Sequence, residues 1–146
     1  MTLYNLSRLR KILFLKLANL PMPGSKRYLF LKLAGIRFTE LKPKVYIGKN
    51  VTFDSIFPEN ICIGNHTLIT TGSLILTHFY NPDTHSFEYG NIEIGDHVFI
   101  GARSIICKPV KIGSGAVIGA GAVLTKNVGD NEIWGGVPAR CLRKKE

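Results

Sequence analysis

Ile94, Ile100, Ile106, Ile112, Ile118 and Leu124 stand six residues apart without a break, and Ile63, Ile69 and Ile75 share the same period. Few folds accept such spacing. An amphipathic helix repeats its apolar face every three or four residues, and a half-buried strand every two. A coil of three hexads, eighteen residues long, does satisfy it. Each hexad supplies a short strand, one inward aliphatic side chain and a turn, and successive coils hydrogen-bond in a parallel stack. Glycine follows many of these positions, as in Ile47-Gly48, Ile63-Gly64, Ile94-Gly95, Ile100-Gly101, Ile112-Gly113 and Ile118-Gly119.

The register exposes two interruptions. Ile75 to Ile94 takes 19 residues where a hexad takes six, so 13 residues, most of the stretch from His78 to Gly90, leave the coil as a loop. Loops of that length in compact domains commonly carry function. Phe53 to Ile63 takes ten residues and includes Phe57-Pro58-Glu59-Asn60. It reads as a turn insertion with no evident chemistry.

The first 44 residues lack hexads. Leu3, Leu6, Leu9, Ile12, Leu13, Leu17 and Leu20 follow the spacing of one helical face, and Pro21-Met22-Pro23-Gly24 stops it. A second short helix, Ser25 to Ala34, takes Ser25 as N-cap and ends at Gly35. Residues 1–44 hold ten basic groups and one acid, Glu40, a net charge of +9, whereas residues 45–146 hold nine charges of each sign. The division predicts a basic helical segment at 1–44 and a repeat domain with a C-terminal tail at 45–146. The hairpin's apolar face must cover something, and the open end of the stack, with its edge strands, is a surface in need of cover. Its basic outer face then suits peripheral contact with anionic lipid. A neutral repeat domain without a nucleic-acid motif argues against nucleic acid as partner.

Composition narrows the class further. A chain of 146 residues with 45% hydrophobic and 20% charged content is one folded domain rather than a disordered chain. Lys16 and Lys32 keep every apolar run short of the roughly 20 residues that span a bilayer, and Ile12 to Leu15 is too short for a signal-peptide core. Cys62, Cys107 and Cys141 form no C-x-x-C pair, which fits packing or surface thiols in a reducing cytoplasm.

Three stretches carry a family resemblance: Ile94-Gly95-Asp96-His97-Val98-Phe99-Ile100-Gly101, the run from Ile112-Gly113-Ser114-Gly115 through Leu124-Thr125-Lys126, and Gly135-Gly136-Val137-Pro138-Ala139-Arg140. Over about residues 45–143 the chain resembles the hexapeptide-repeat acyltransferases, and within them the maltose and galactoside acetyltransferase-like O-acetyltransferases of polysaccharide synthesis. The resemblance implies a mainly β fold, a single-stranded left-handed parallel β-helix with an N-terminal helical hairpin and one protruding loop. It also implies acetyl-CoA as donor, no metal, and a cytoplasmic homotrimer with active sites between subunits. The reaction would be direct acetyl transfer to a sugar or glycan hydroxyl through a ternary complex and a tetrahedral intermediate. Phe99 departs from the tryptophan of many members, keeping an aromatic surface but losing the indole donor.

Within that resemblance, a histidine at the base of the protruding loop acts as general base, and Thr77-His78 matches its place. A sugar hydroxyl is too weakly acidic to attack a thioester unaided, whereas a neutral imidazole, with an ordinary pKa near 6.5, can take its proton. Asp83 and Glu88 are candidates to orient that imidazole. His85 is open between acceptor binding, support of His78 and a purely surface role. Tyr80, Asn81, Asp83 and His85 form the candidate acceptor set. Phe79, Tyr80, Phe87 and Tyr89 suit either a wall for a sugar ring or packing on a neighbouring subunit. The small residues Ala102, Gly119, Ala120 and Gly121, with Thr125 and Lys126, resemble the family's coenzyme A groove along the edge that holds His78. Lys126, Arg140 and Arg143 are placed to neutralise its phosphates, with a solvated tail as the other reading of Arg143.

His66 and His97 occupy equivalent positions on adjacent coils, about 4.8 Å apart if coils space like strands. The gamma-class carbonic anhydrases share the fold and bind metal through histidines, but the next coil offers Gly115 where a third ligand would stand, and zinc needs three or four. Stacked surface histidines are the better account. Alternatives to O-acetyl transfer are N-acetylation of an amino sugar, a gamma-class carbonic anhydrase and a non-catalytic scaffold.

Overall fold

The computed structural model describes residues 5–146; Leu3, counted above in the first helix, lies outside them. Helix α1 spans Leu6–Leu17, with the Asn5 side chain accepting a hydrogen bond from the Arg8 backbone N–H at 2.9 Å. After a 3-10 turn at Gly24–Lys26, α2 spans Tyr28–Ala34 and ends at Gly35, whose φ of 111° is open to glycine without strain. Ser25 is not its N-cap. The 3-10 turn takes up Ser25, and Arg27 stands at the cap position with no side-chain hydrogen bond there.

Strands then fall in turn onto three sheets. Sheet A takes β1 (Arg37–Phe38), β4 (Ile61–Ile63), β9 (Ile92–Ile94) and β12 (Lys111–Ile112). Sheet B takes β2 (Tyr46–Ile47), β5 (Leu68–Ile69), β10 (Phe99–Ile100), β13 (Val117–Ile118), β15 (Glu132–Gly135) and β16 (Arg140–Lys144), and sheet C takes β3 (Thr52–Phe53), β6 (Leu74–Ile75), β11 (Ile105–Ile106) and β14 (Val123–Leu124). Pairing within these sheets is parallel except for β16 on β15. The hexads determine the register. Phe99 pairs with Val117, 18 positions on, while Leu68 pairs with Phe99 across 31, the excess of 13 being the loop. Tyr46 pairs with Leu68 across 22, the excess of four being the turn insertion. Because β1 already pairs with β4, the stack takes in residues before position 45, where the hexads first become visible.

The inward residue of each hexad is fully buried: Ile63, Ile69, Ile75, Ile100, Ile106, Ile118 and Leu124 expose nothing. Two positions earlier comes a second buried set of smaller residues. Its hydroxyl members Thr67, Ser73 and Ser104 donate to turn carbonyls, for example Ser104 Oγ to the Gly101 carbonyl at 2.6 Å, so no buried hydroxyl is left unpaired among them. Glycine after an inward residue is a steric need: a Cβ on Gly101 would lie 2.4 Å from the Ala120 nitrogen in the next coil.

Both ends of the stack are closed. Leu31, Ala34 and Ile36 are buried over the first coil, and the buried Arg27 donates through its guanidinium to the edge carbonyl of Ile47 at 3.1 Å. Trp134 takes the inward place at the far end, its Nε1–H donating to Glu132 at 2.8 Å. Helix α1 departs from the expectation that its leucine face covers the stack. It packs through Leu15 and Ala18 and an ion pair between Lys11 and Glu59 at 2.8 Å, while Leu6, Leu9, Leu13 and Leu20 are exposed. Among the described residues, no helix is long and apolar enough to cross a membrane.

Candidate active site

The 13-residue loop is a hairpin of two antiparallel strands, β7 (His78–Asn81) and β8 (Ser86–Tyr89), leaving the corner between sheets C and A. Pro82 ends β7, and the Asn81 side chain accepts from the Asp83 N–H at 3.0 Å, an Asx turn that fixes the tip. His78 therefore begins the hairpin at its base, paired with Tyr89, and its side chain keeps 26% of its surface accessible.

One coil below stands a residue that sequence reasoning did not single out. Asp54 follows the inward Phe53, which pairs with Ile75, so its carboxylate lies directly under Thr77 and His78. Oδ2 accepts from the Thr77 N–H at 2.9 Å and its hydroxyl at 2.7 Å, and contacts His78 Nδ1 at 2.5 Å. Oδ1 accepts from the N–H groups of Ile56 at 2.7 Å and Phe57 at 3.2 Å. The turn insertion read as chemically silent is thus the cradle of this carboxylate. The side chain is wholly buried, and burial pushes its pKa up; the hydrogen bonds from the Thr77 hydroxyl, Ile56, His78 and the Thr77 backbone outweigh that and hold it below the ordinary value. An ionised Asp54 requires a proton on His78 Nδ1. The neutral ring then keeps its lone pair on Nε2, which has no partner among the described residues.

Neither Asp83 nor Glu88 orients the imidazole. Glu88 accepts from Asn81 Nδ2 at 2.6 Å and from the Thr84 hydroxyl at 3.3 Å, and Asp83 lies exposed in the Asx turn. His85 sits at the tip with φ 51°, 3.4 Å from the Tyr80 hydroxyl. The Tyr80–Phe87 pair already lies two residues along β7 from His78, about 7 Å at strand rise, and His85 lies beyond it, so it does not support His78 directly. Tyr80 and Phe87 meet edge to face at 5.5 Å, the Phe87 ring is 6.5 Å from that of His78, and Tyr89 stacks on Phe57 at 4.8 Å.

The candidate donor residues divide between two corners flanking sheet C. Thr125 and Lys126 follow Leu124, which shares the Ile75–Ile106 ladder, and so lie on the His78 corner. Lys108 occupies the same corner between them, its Nζ 4.8 Å from the Phe79 ring centre. Ala102, Gly119 and Ala120 lie instead in the turns from sheet B to sheet C. There a Cβ on Gly121 would meet nothing within 4 Å, so that edge is open to an extended chain. Arg140 and Arg143 belong to β16, an ordered strand against β15, rather than to a tail. His66 and His97 stack at 4.7 Å with ring planes 2° apart, and no cluster of three metal-ligating side chains occurs among the described residues.

A family profile described as "Hexapeptide repeat of succinyl-transferase" matches residues 91–126. The chain is 39% identical over 132 residues to a Bacillus subtilis (strain 168) protein named "Putative acetyltransferase YvoF", covering 86% of this chain and 70% of that protein. The chain belongs to the hexapeptide-repeat acetyltransferase family. This acyltransferase is also 32% identical over 105 residues to the galactoside O-acetyltransferase of Lactococcus lactis subsp. lactis (strain IL1403), covering 68% of this chain and half, 50%, of that one. Its fold superposes on the hexapeptide-repeat containing acetyltransferase VCA0836 of Vibrio cholerae O1 biovar eltor, solved complexed with acetyl-coenzyme A, with a TM-score of 0.73 and 23% identity over 96% of this chain and 87% of that one.

Proposed function

We propose that the chain is an acetyl-CoA-dependent O-acetyltransferase acting on a sugar or glycan hydroxyl in surface polysaccharide synthesis, with His78 as general base. The Asp54–His78 pair at the hairpin base carries this reading. His78 Nε2 accepts the acceptor's hydroxyl proton as that oxygen attacks the acetyl thioester, and returns it to the departing thiolate. Asp54 is the positioning residue: it fixes the tautomer and ring plane and balances the charge on the imidazolium. Tyr80, Asn81, Asp83 and His85, with Phe87, form the acceptor side. Ala102, Gly119, Ala120, Thr125, Lys126, Arg140 and Arg143 bind the donor. The likeness to a galactoside O-acetyltransferase supports the sugar acceptor.

The stack is a left-handed β-helix in this reading, with residues 1–44 as an accessory segment, and three copies form a cytoplasmic trimer with sites between them. The outer ladders support that assembly. On sheet A they read Arg37, Cys62, Glu93, Lys111, but on sheet B Tyr46, Leu68, Phe99, Val117 and on sheet C Thr52, Leu74, Ile105, Val123. Two largely apolar faces and one polar face suit a cyclic contact in which each copy meets two neighbours. The test is thiol release from acetyl-CoA across a panel of sugars. Release that needs both substrates and yields an acetyl ester is the expected result; none with any hydroxyl acceptor, or undiminished release in His78→Ala, overturns it.

A further inference from the structure

Helix α1 is built the wrong way round for a helix that merely packs on its own protein. Leu6, Leu9 and Leu13 are exposed by 85%, 50% and 54%, and Leu20, just past the helix end, is exposed too. At helical spacing these side chains form one stripe. The opposite side, with Lys11, Leu15 and Ala18, faces the body through the Glu59 ion pair and the core. Exposed Arg10 and Lys16 flank the stripe. Helix α2 repeats the arrangement on a smaller scale: Leu31 and Ala34 are buried, while Leu29 and Leu33 are exposed on the other side.

We infer that the outward leucine stripe of α1, with its flanking cations, inserts into the interface of an anionic lipid bilayer. An apolar stripe rimmed by Arg and Lys is the pattern of a helix lying in a membrane surface, where each basic side chain near anionic lipid strengthens the attachment several-fold. Charge complementarity selects lipid over a second copy of the chain. Residues 1–44 carry +9 and the rest is neutral, so pairing two α1 faces brings like charges together, and packing one on a neighbour's body leaves its charge unanswered. The consequence for the candidate site is positional. Glu59, which holds α1, lies two residues from Phe57, which stacks on Tyr89 opposite His78. A docked α1 therefore keeps the hairpin near the bilayer surface.

The experiment is co-sedimentation of the full chain with phosphatidylcholine vesicles and with vesicles also containing phosphatidylglycerol, at low and high salt. Wild type is expected on the anionic vesicles, released by salt. Leu9→Ser with Leu13→Ser should weaken binding at least about tenfold through lost apolar burial, and Arg10→Gln with Lys16→Gln about thirtyfold on anionic vesicles alone. Circular dichroism and thermal unfolding of each variant must match wild type, which the exposure of all four residues predicts. Anionic-vesicle binding undiminished in the leucine variant overturns the proposal. So does a wild type that ignores vesicles while the leucine variant loses oligomer mass by light scattering, which would assign the stripe to a second copy. Both readouts are independent of acyl transfer, so failure here leaves the acetyltransferase reading standing.

Discussion

Two corners of the same prism carry histidines and differ in everything that makes a histidine reactive. His66 and His97 lie between sheets A and B, exposed, at φ 55° each, stacked on one another, and among the described residues no carboxylate is hydrogen-bonded to either ring. His78 lies between sheets C and A, half-buried, with Asp54 beneath it. The backbone differs as well: the turns between sheets A and B pass through a left-handed residue, whereas at the corner between sheets C and A only His85, out at the hairpin tip, is left-handed among the described residues. What distinguishes the second corner is one residue placed a coil below, and a hairpin that shelters it.

The largest separation is expected in turnover. His78→Ala should lower kcat about 10²–10⁴-fold, the usual worth of general-base assistance, while His66→Ala and His97→Ala stay within twofold of wild type in the same thiol-release assay. Comparable losses at both corners would erase the distinction.

Next is the carboxylate. Asp54→Asn keeps the shape but presents an amide to donors that need an acceptor, and loses the ion that stabilises protonated His78. A hydrogen bond to a charged group is worth about 1.5–3 kcal/mol, so kcat should fall about 10–100-fold, with acceptor KM changed much less. Stability should drop as well. Because the folded Asp54 has a lowered pKa, its contribution is present above the unfolded carboxyl's value of about 3.9 and lost as pH falls through the lower folded value. Wild type should therefore lose stability on acidification below about pH 4, and Asp54→Asn should lose less over that window while starting lower. Parallel acid unfolding curves for the two would contradict this sign.

Sequence legibility follows the same divide. The stack is readable because every coil must supply an aliphatic residue every sixth position, and the hairpin is readable as a gap in that count. Asp54 is not, because its partner lies 24 positions away and the four extra residues after it hide the column that aligns it with Thr77 and His78. An aspartate directly after an inward residue, where most hexads place glycine, was the available signal. The direction of α1 was equally hidden. Spacing reveals that a helix has an apolar face, but not whether that face meets the chain's own core. Ser25 misled for a local reason: Pro23-Gly24 begins a 3-10 turn, which carries the chain past the serine before α2 starts.

A smaller effect tests the wall beside His78. Phe87 is exposed by 72% and its ring faces both Tyr80 and His78. An exposed aromatic in that position is useful if a ring of the acceptor lies on it. Phe87→Ala should raise acceptor KM about three- to tenfold, in line with the 0.5–1.5 kcal/mol of an aromatic contact, with kcat and the KM for acetyl-CoA little changed. A fall in kcat alone would mean that Phe87 positions His78 instead.

The smallest effects belong to the silent corner, where backbone and not chemistry decides. His66 and His97 hold a left-handed turn that asparagine tolerates and β-branched residues resist. His97→Asn should leave the unfolding free energy within about 0.5 kcal/mol of wild type, whereas His97→Val should cost about 1–2 kcal/mol through φ alone. Turnover per folded molecule should be unchanged in both. If the asparagine variant instead loses activity while folding normally, the stacked pair is part of the chemistry and the contrast between the two corners fails.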